Sequence, residues 1–146
     1  MAIYKSFEMI EKLLHLEKNL YSVKSLMHLE ESFNVDYFDV DNQSVFVDHL
    51  FKNKYEIIFA KLGLHFNQEV FLLQPGLKYI ITPTTGLNHI DLQNAEKRNI
   101  QVISLKTETV FLKNVLSTAE HTWGLLLALI RNIPSAFQDV RDGYWR

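Results

Sequence analysis

Across residues 8–33 apolar positions recur at helical spacing. Ile10, Leu13, Leu14 and Leu16 form one stripe, and Val23, Leu26, Met27 and Leu29 form a second behind Ser22, a suitable N-cap. Residues 2–7 read as a short strand. Residues 35–40 alternate apolar and polar as a strand does, and 44–53 read as a helix with Val45, Val47, Leu50 and Phe51 inward. Residues 55–62 form an apolar run of strand length closed by Gly63. A short helix over 66–73, ahead of Pro75-Gly76, a strand over 78–82, a helix over 91–97 and a strand over 100–105 follow.

Near-continuous apolar strands alternating with helices predict a parallel sheet covered on both faces. The expected fold is α/β: a flavodoxin-like, doubly wound parallel sheet over residues 1–105. Residues 106–146 differ in kind. The stretch 106–114 is polar and irregular and suits a crossover between domains. Ser117, with Glu120 three residues on, then has the form of a capping box. The helix it opens runs through Leu125, Leu126, Leu127, Leu129 and Ile130, ends near Asn132-Ile133-Pro134, and is apolar on nearly every face. A second, amphipathic helix over 134–141 cannot cover it all.

Composition narrows the function classes. A chain of 146 residues with 47% hydrophobic residues can bury a core. A formal net charge of −2 with scattered Lys and Arg offers no basic stripe for nucleic acid or an anionic membrane. With no Cys there is neither a disulfide framework nor a thiolate zinc site. Glu8, Glu11 and Lys12 interrupt what would have to be the apolar core of a signal peptide, and the apolar run 123–130 is too short to span a bilayer. A reducing cytoplasm is the expected address.

Chemistry concentrates in one loop. Residues 82–88, Thr-Pro-Thr-Thr-Gly-Leu-Asn, follow a strand at the sheet edge where open α/β folds bind ligands. A glycine among small residues lets successive backbone amides converge on an anion. The same loop also reads as an ordinary strand-to-helix turn with Asn88 as helix cap. His15, His28, His49, His65, His89 and His121 include no pair at ligand spacing with a partner carboxylate, so no metal site is expected. His121 reads as structural. No two of the five glycines lie two apart, which excludes a G-x-G-x-x-G dinucleotide loop, and there is no nucleophile elbow.

The stretch Leu-Lys-Tyr-Ile-Ile-Thr-Pro-Thr-Thr-Gly-Leu-Asn-His-Ile-Asp, over 77–91, followed by Ser-Thr-Ala-Glu-His-Thr over 117–122, resembles the D-isomer-specific 2-hydroxyacid dehydrogenases. Thr84 stands at the family's usual first glycine, Gly86 at its second and Asn88 at its usual Asp, while Ile90 and Asp91 match the motif's end. The resemblance implies that Thr85 and Gly86 present backbone amides to the substrate carboxylate and that Asn114 donates a further hydrogen bond. It also puts Thr118 beside the nicotinamide. It implies an NAD- or NADP-dependent oxidoreductase acting on D-2-hydroxy acids or 2-keto acids. The family's cofactor pocket and its catalytic Arg, Glu and His would come from sequence beyond Arg146. On that basis no catalytic residue and no bound cofactor are expected of this chain alone, residues 106–146 lead into a missing NAD-binding domain, and the bare apolar helix favours a homodimer or higher self-association.

Rival readings of the fold are a stand-alone interaction or regulatory module without catalysis and a naturally shortened, inactive relative. A phospho-receiver would need an acceptor Asp where Ala60-Lys61-Leu62 stands. A flavin carrier would need a Thr-rich phosphate loop after the first strand, expected at Ser6-Phe7-Glu8-Met9.

Overall fold

The computed structural model describes residues 12–144. The strand expected over 2–7 lies outside them. Five short strands, β1 (Leu13–His15), β2 (Val35–Tyr37), β3 (Ile57–Phe59), β4 (Tyr79–Thr82) and β5 (Gln101–Ser104), form one sheet in the order β2-β1-β3-β4-β5. Every neighbouring pair is parallel. Helices α1 (Val23–Glu30), α2 (Gln43–Lys52), α3 (Gln68–Leu73) and α4 (Leu92–Lys97) make the crossovers. This is the doubly wound, flavodoxin-like order expected from the sequence.

The first strand is where the sequence pattern misled. Leu13 and Leu14, expected on a helical stripe with Leu16, belong to β1, whose three residues are all buried. β1 is an inner strand with both faces covered, so consecutive apolar residues are required. Over so short a window that run cannot be told from a helix. The register explains the two-sided core. Leu14, Ile58, Ile80 and Val102 face one side, with Phe46, Leu50, Val70, Phe71 and Ala95 of α2, α3 and α4 in the same cluster. Leu13 and Ile57 face the other, with Phe33, Val35, Phe59, Tyr79 and Ile81 around them. One row further along that second face, His15 is fully buried and stacks on Phe59 at 4.9 Å.

Caps set the helix starts. Ser22 accepts from the Ser25 N–H as expected, Asn42 opens α2, and Asn67 opens α3. The inward face of α2 is Phe46 and Leu50. Val45 and Phe51 point outward, and Phe51 is 71% exposed. With Asn42 as cap, Phe46 and Leu50, four apart, share the core stripe, and Phe51 falls beyond it.

Contacts divide the chain into two compact units, Met1–Thr107 and Glu108–Arg146. The stretch expected to be irregular over 106–114 holds a helical turn, α5 (Thr109–Leu112), after a 3-10 turn at Leu105–Thr107. In the second unit α6 (Ser117–Ile130) and α7 (Ile133–Arg141) pack on each other. The capping box does not form. Leu116 is already helical at the N-cap position and its carbonyl accepts from the Glu120 N–H, so Ser117 lies inside the first turn and caps nothing. The reversal between the helices turns on Asn132, at φ 52°, a left-handed conformation that asparagine tolerates better than most residues. Trp123, Leu125, Leu127, Leu129 and Ile130 of α6 are all more than half exposed.

Candidate functional site

The loop over 82–88 leaves the carboxyl end of β4. Its root is the buried Thr82, paired in register with Ser104 of β5. The Thr84 carbonyl accepts from the Leu105 N–H at 3.1 Å, which ties the loop to the end of β5. The far end is held by the chain that follows β3. The Phe66 N–H donates to the His89 carbonyl at 2.8 Å and the Asp91 N–H to the Phe66 carbonyl at 2.9 Å, a parallel bridge beyond the sheet proper. Asp91, not Asn88, caps the next helix, accepting from the Asn94 N–H at 3.1 Å. The Asn94 side chain, the first cause, holds the Asp91 carboxyl below its usual range.

Between these anchors the backbone donors are unspent. Among the described residues the N–H groups of Thr85, Gly86, Leu87 and Asn88 meet no acceptor, and Thr85, Gly86 and Asn88 are exposed. Gly86 does not have a left-handed φ, and a methyl group placed on it would touch nothing within 4 Å. The loop's own fold therefore gives no reason for glycine there, whereas a ligand pressing against the backbone would.

Several neighbours carried no sequence signal. His89 packs edge to face with Phe66, and its Nε2 is buried without a partner among the described residues. Burial, and then the charge of His65, pushes its pKa down. Gln43 clasps the backbone of His65 from both sides, donating to its carbonyl at 3.0 Å and accepting from its N–H at 2.8 Å. Such long-range clasps leave no local pattern. Thr82 and Thr84 do leave one, two hydroxyls two residues apart, and these lie 2.9 Å from each other.

Of the residues expected from the sequence, Thr85 and Gly86 lie together on this loop in the first unit. Asn114 and Thr118 belong to the second. Asn114 sits in the turn between α5 and α6, where its side chain donates to the Val110 carbonyl at 3.4 Å, a long contact at a helix end. Thr118 is in the opening turn of α6, and its carbonyl accepts from the Thr122 hydroxyl at 2.8 Å.

The sheet's other candidate edge is the switch point between β1 and β3, where folds of this order hold phosphate-bearing cofactors. Here the groove, about 200 Å³, is lined by Glu17, Asn19, Leu20, Asp39 and Lys61. Lys61 is already committed at 2.7 Å to both Asp39 and Asp41. Carboxylates at that edge oppose a phosphate, and the turn after β1 has no glycine. The residues present fit neither a flavin phosphate nor a dinucleotide.

The chain is similar to known proteins in sequence and in fold. Over 92 residues the chain is 35% identical to D-3-phosphoglycerate dehydrogenase of Archaeoglobus fulgidus, a match covering 63% of this chain and 16% of that protein. Over 71 residues it is 37% identical to formate dehydrogenase 1 of Saccharomyces cerevisiae, covering 49% and 18%. It thus spans less than a fifth of either relative's length. The fold is that of D-lactate dehydrogenase from Aquifex aeolicus, solved with NAD and lactic acid. The TM-score is 0.75 at 22% identity, over 92% of this chain and 38% of that one. The family model described as D-isomer specific 2-hydroxyacid dehydrogenase, catalytic domain, matches residues 13–143, and the chain belongs to that family.

Proposed function

We propose that this chain supplies the carboxylate-binding part of an NAD(P)-dependent oxidoreductase acting on the CH–OH group of D-2-hydroxy acids or the carbonyl of 2-keto acids. The supporting observation is the run of unspent N–H groups from Thr85 to Asn88 at the carboxyl edge of a parallel sheet, in a chain of this family. A carboxylate accepts from two or three such donors at once, and each hydrogen bond to a charged group is worth about 1.5–3 kcal/mol. Thr85 and Gly86 are the first two donors in this assignment. Asn114 supplies a neutral amide, which donates to an anion without a charge that varies with pH. Thr118 is assigned to the nicotinamide side.

The chain itself carries no dinucleotide loop, because no two of its glycines stand two apart. In this assignment residues 1–105 are the substrate domain, 106–146 the crossover, and the cofactor pocket with the acid and base groups belongs to a Rossmann domain of a longer protein. The setting is cytoplasmic; no helix among the described residues is long and apolar enough to cross a membrane. The exposed Leu and Ile of α6 belong against a second copy or a further domain, and the 146-residue chain alone self-associates.

Titrating the ¹⁵N-labelled chain with glyoxylate, the smallest 2-keto acid, tests the site. Saturable shifts centred on the Thr85 and Gly86 amides are expected, with no heat on adding NADH in calorimetry. Glyoxylate shifts confined to other regions would sink the site assignment, and micromolar NADH binding would sink the division of labour.

A further inference from the structure

The departure of this loop from its family's pattern, threonine at position 84, is not a loss. Thr84 Oγ1 lies 2.8 Å from the Gly86 carbonyl oxygen. A carbonyl can only accept, so the single hydroxyl proton of Thr84 is spent on Gly86. Thr82 Oγ1 lies 2.9 Å from Thr84 Oγ1, and with that proton already committed the donor in this second bond must be Thr82. The result is a directional relay, from the Thr82 hydroxyl to the Thr84 hydroxyl to the Gly86 carbonyl. Its root is buried at the end of β4.

The Gly86 carbonyl shares a planar trans peptide with the Leu87 N–H, and the two point in opposite directions. Drawing the carbonyl back to Thr84 therefore turns the Leu87 N–H away from it, and that N–H is one of the unspent donors. A glycine on the amino side makes this peptide easy to flip. A flip would present a carbonyl oxygen to the same space, and a carboxylate would meet a negative dipole in place of a donor.

We propose that Thr82 and Thr84 lock the Gly86–Leu87 peptide in its donating orientation, making Thr84 a positioning residue of the anion site and Leu87 N–H a third donor beside Thr85 and Gly86. The proposal rests on the carboxylate assignment above, and the test separates the two. In its first arm the chain is labelled with ¹³C at the glycine carbonyls, and spectra without ligand are compared for wild type, Thr84→Ser and Thr84→Val. The Gly86 resonance should move upfield in Thr84→Val, which lacks the hydroxyl, and stay in place in Thr84→Ser, while the other glycines do not move. An unmoved Gly86 signal in Thr84→Val would overturn the lock. If Thr84→Val does not fold, Thr82→Val removes the upstream link and should shift the same signal less. No shift there would count against the lock equally.

In the second arm the same proteins are titrated with glyoxylate. Wild type and Thr84→Ser should saturate alike, while Thr84→Val should need about ten- to a hundredfold more glyoxylate, the loss of one hydrogen bond to a charged group. Equal affinities would overturn the positioning role. Absence of any glyoxylate effect in wild type, with the carbonyl shift present, would defeat the anion assignment and the positioning role with it, leaving the relay as loop structure only.

Discussion

Replacing Gly86 with alanine should make this protein more stable and a poorer ligand for carboxylates. Gly86 has no left-handed φ, and an added Cβ meets no atom within 4 Å, so alanine costs the folded state nothing. The unfolded chain loses freedom, which stabilises the fold by about 0.4–1 kcal/mol. In a domain of this size that raises Tm by about 1–4 °C. If an acid presses against the backbone at Gly86, as the proposed site requires, the methyl group displaces it, so glyoxylate affinity should fall about tenfold or more, as the loss of one charge-assisted hydrogen bond implies. Gly63 is the internal control. Its φ is +92°, where an L side chain is strained, so Gly63→Ala should destabilise by about 1–2 kcal/mol. Thermal unfolding and amide-shift titration of both variants check this. A Gly86→Ala protein destabilised by more than about 0.5 kcal/mol would show that the fold itself needs the glycine. A stabilised one with unchanged affinity would show that nothing approaches the loop there.

The exposed α6 surface should drive self-association of the 146-residue chain, weakened when Leu126 and Ile130 are both replaced by Lys. A monomer in sedimentation at tens of micromolar, or an assembly indifferent to those substitutions in a folded chain, refutes this. Stability should fall as pH drops below about 6.5. Burial, the first cause in each case, holds His15, His49 and His89 below the ordinary histidine value of 6.5. The unfolded chain therefore takes up protons first, so the stabilisation is complete above 6.5 and is lost as pH falls toward the folded values, by at most about 1.4 kcal/mol per pH unit for each histidine. The raised Glu17 works in the opposite direction, adding stability on acidification. A urea midpoint at pH 5.5 equal to or above that at pH 7.5 would contradict the net sign.

Sequence reasoning reached the parallel sheet because β3, β4 and β5 fill apolar runs bounded by turn residues, signals confined to a few neighbouring positions. It missed β1 because what makes Leu13–His15 a strand is having partners on both sides, Val35 and Ile57 for Leu13, and neither is local. The Ser117 capping box failed for a related reason. Spacing specifies which residues could cap, but the conformation of Leu116 decides where the helix begins. In the loop, Gly86 was visible as a glycine among small residues. The Gln43 clasp and the Phe66 bridge that hold the loop's flank come from distant segments and had no local trace. Threonine at 84 looked like a defect in a motif until its hydroxyl had an acceptor.

Parallel neighbours cannot be joined by a hairpin, so each ladder in this sheet waits for a whole crossover to fold back. β1 lies between β2 and β3 and pairs with β3 only when Ile57, roughly forty residues downstream, returns to Leu13. Until then the buried triplet Leu13–His15 has no partner on that side, and β3, β4 and β5 are not joined to β1 and β2. The loop after β4 is pinned to Phe66 behind β3 and to Leu105 behind β5, so its path is set only once those strands have joined. In the proposed assignment, then, an acid that binds there engages groups held by three strands at once, and by mass action it reinforces closure of the sheet.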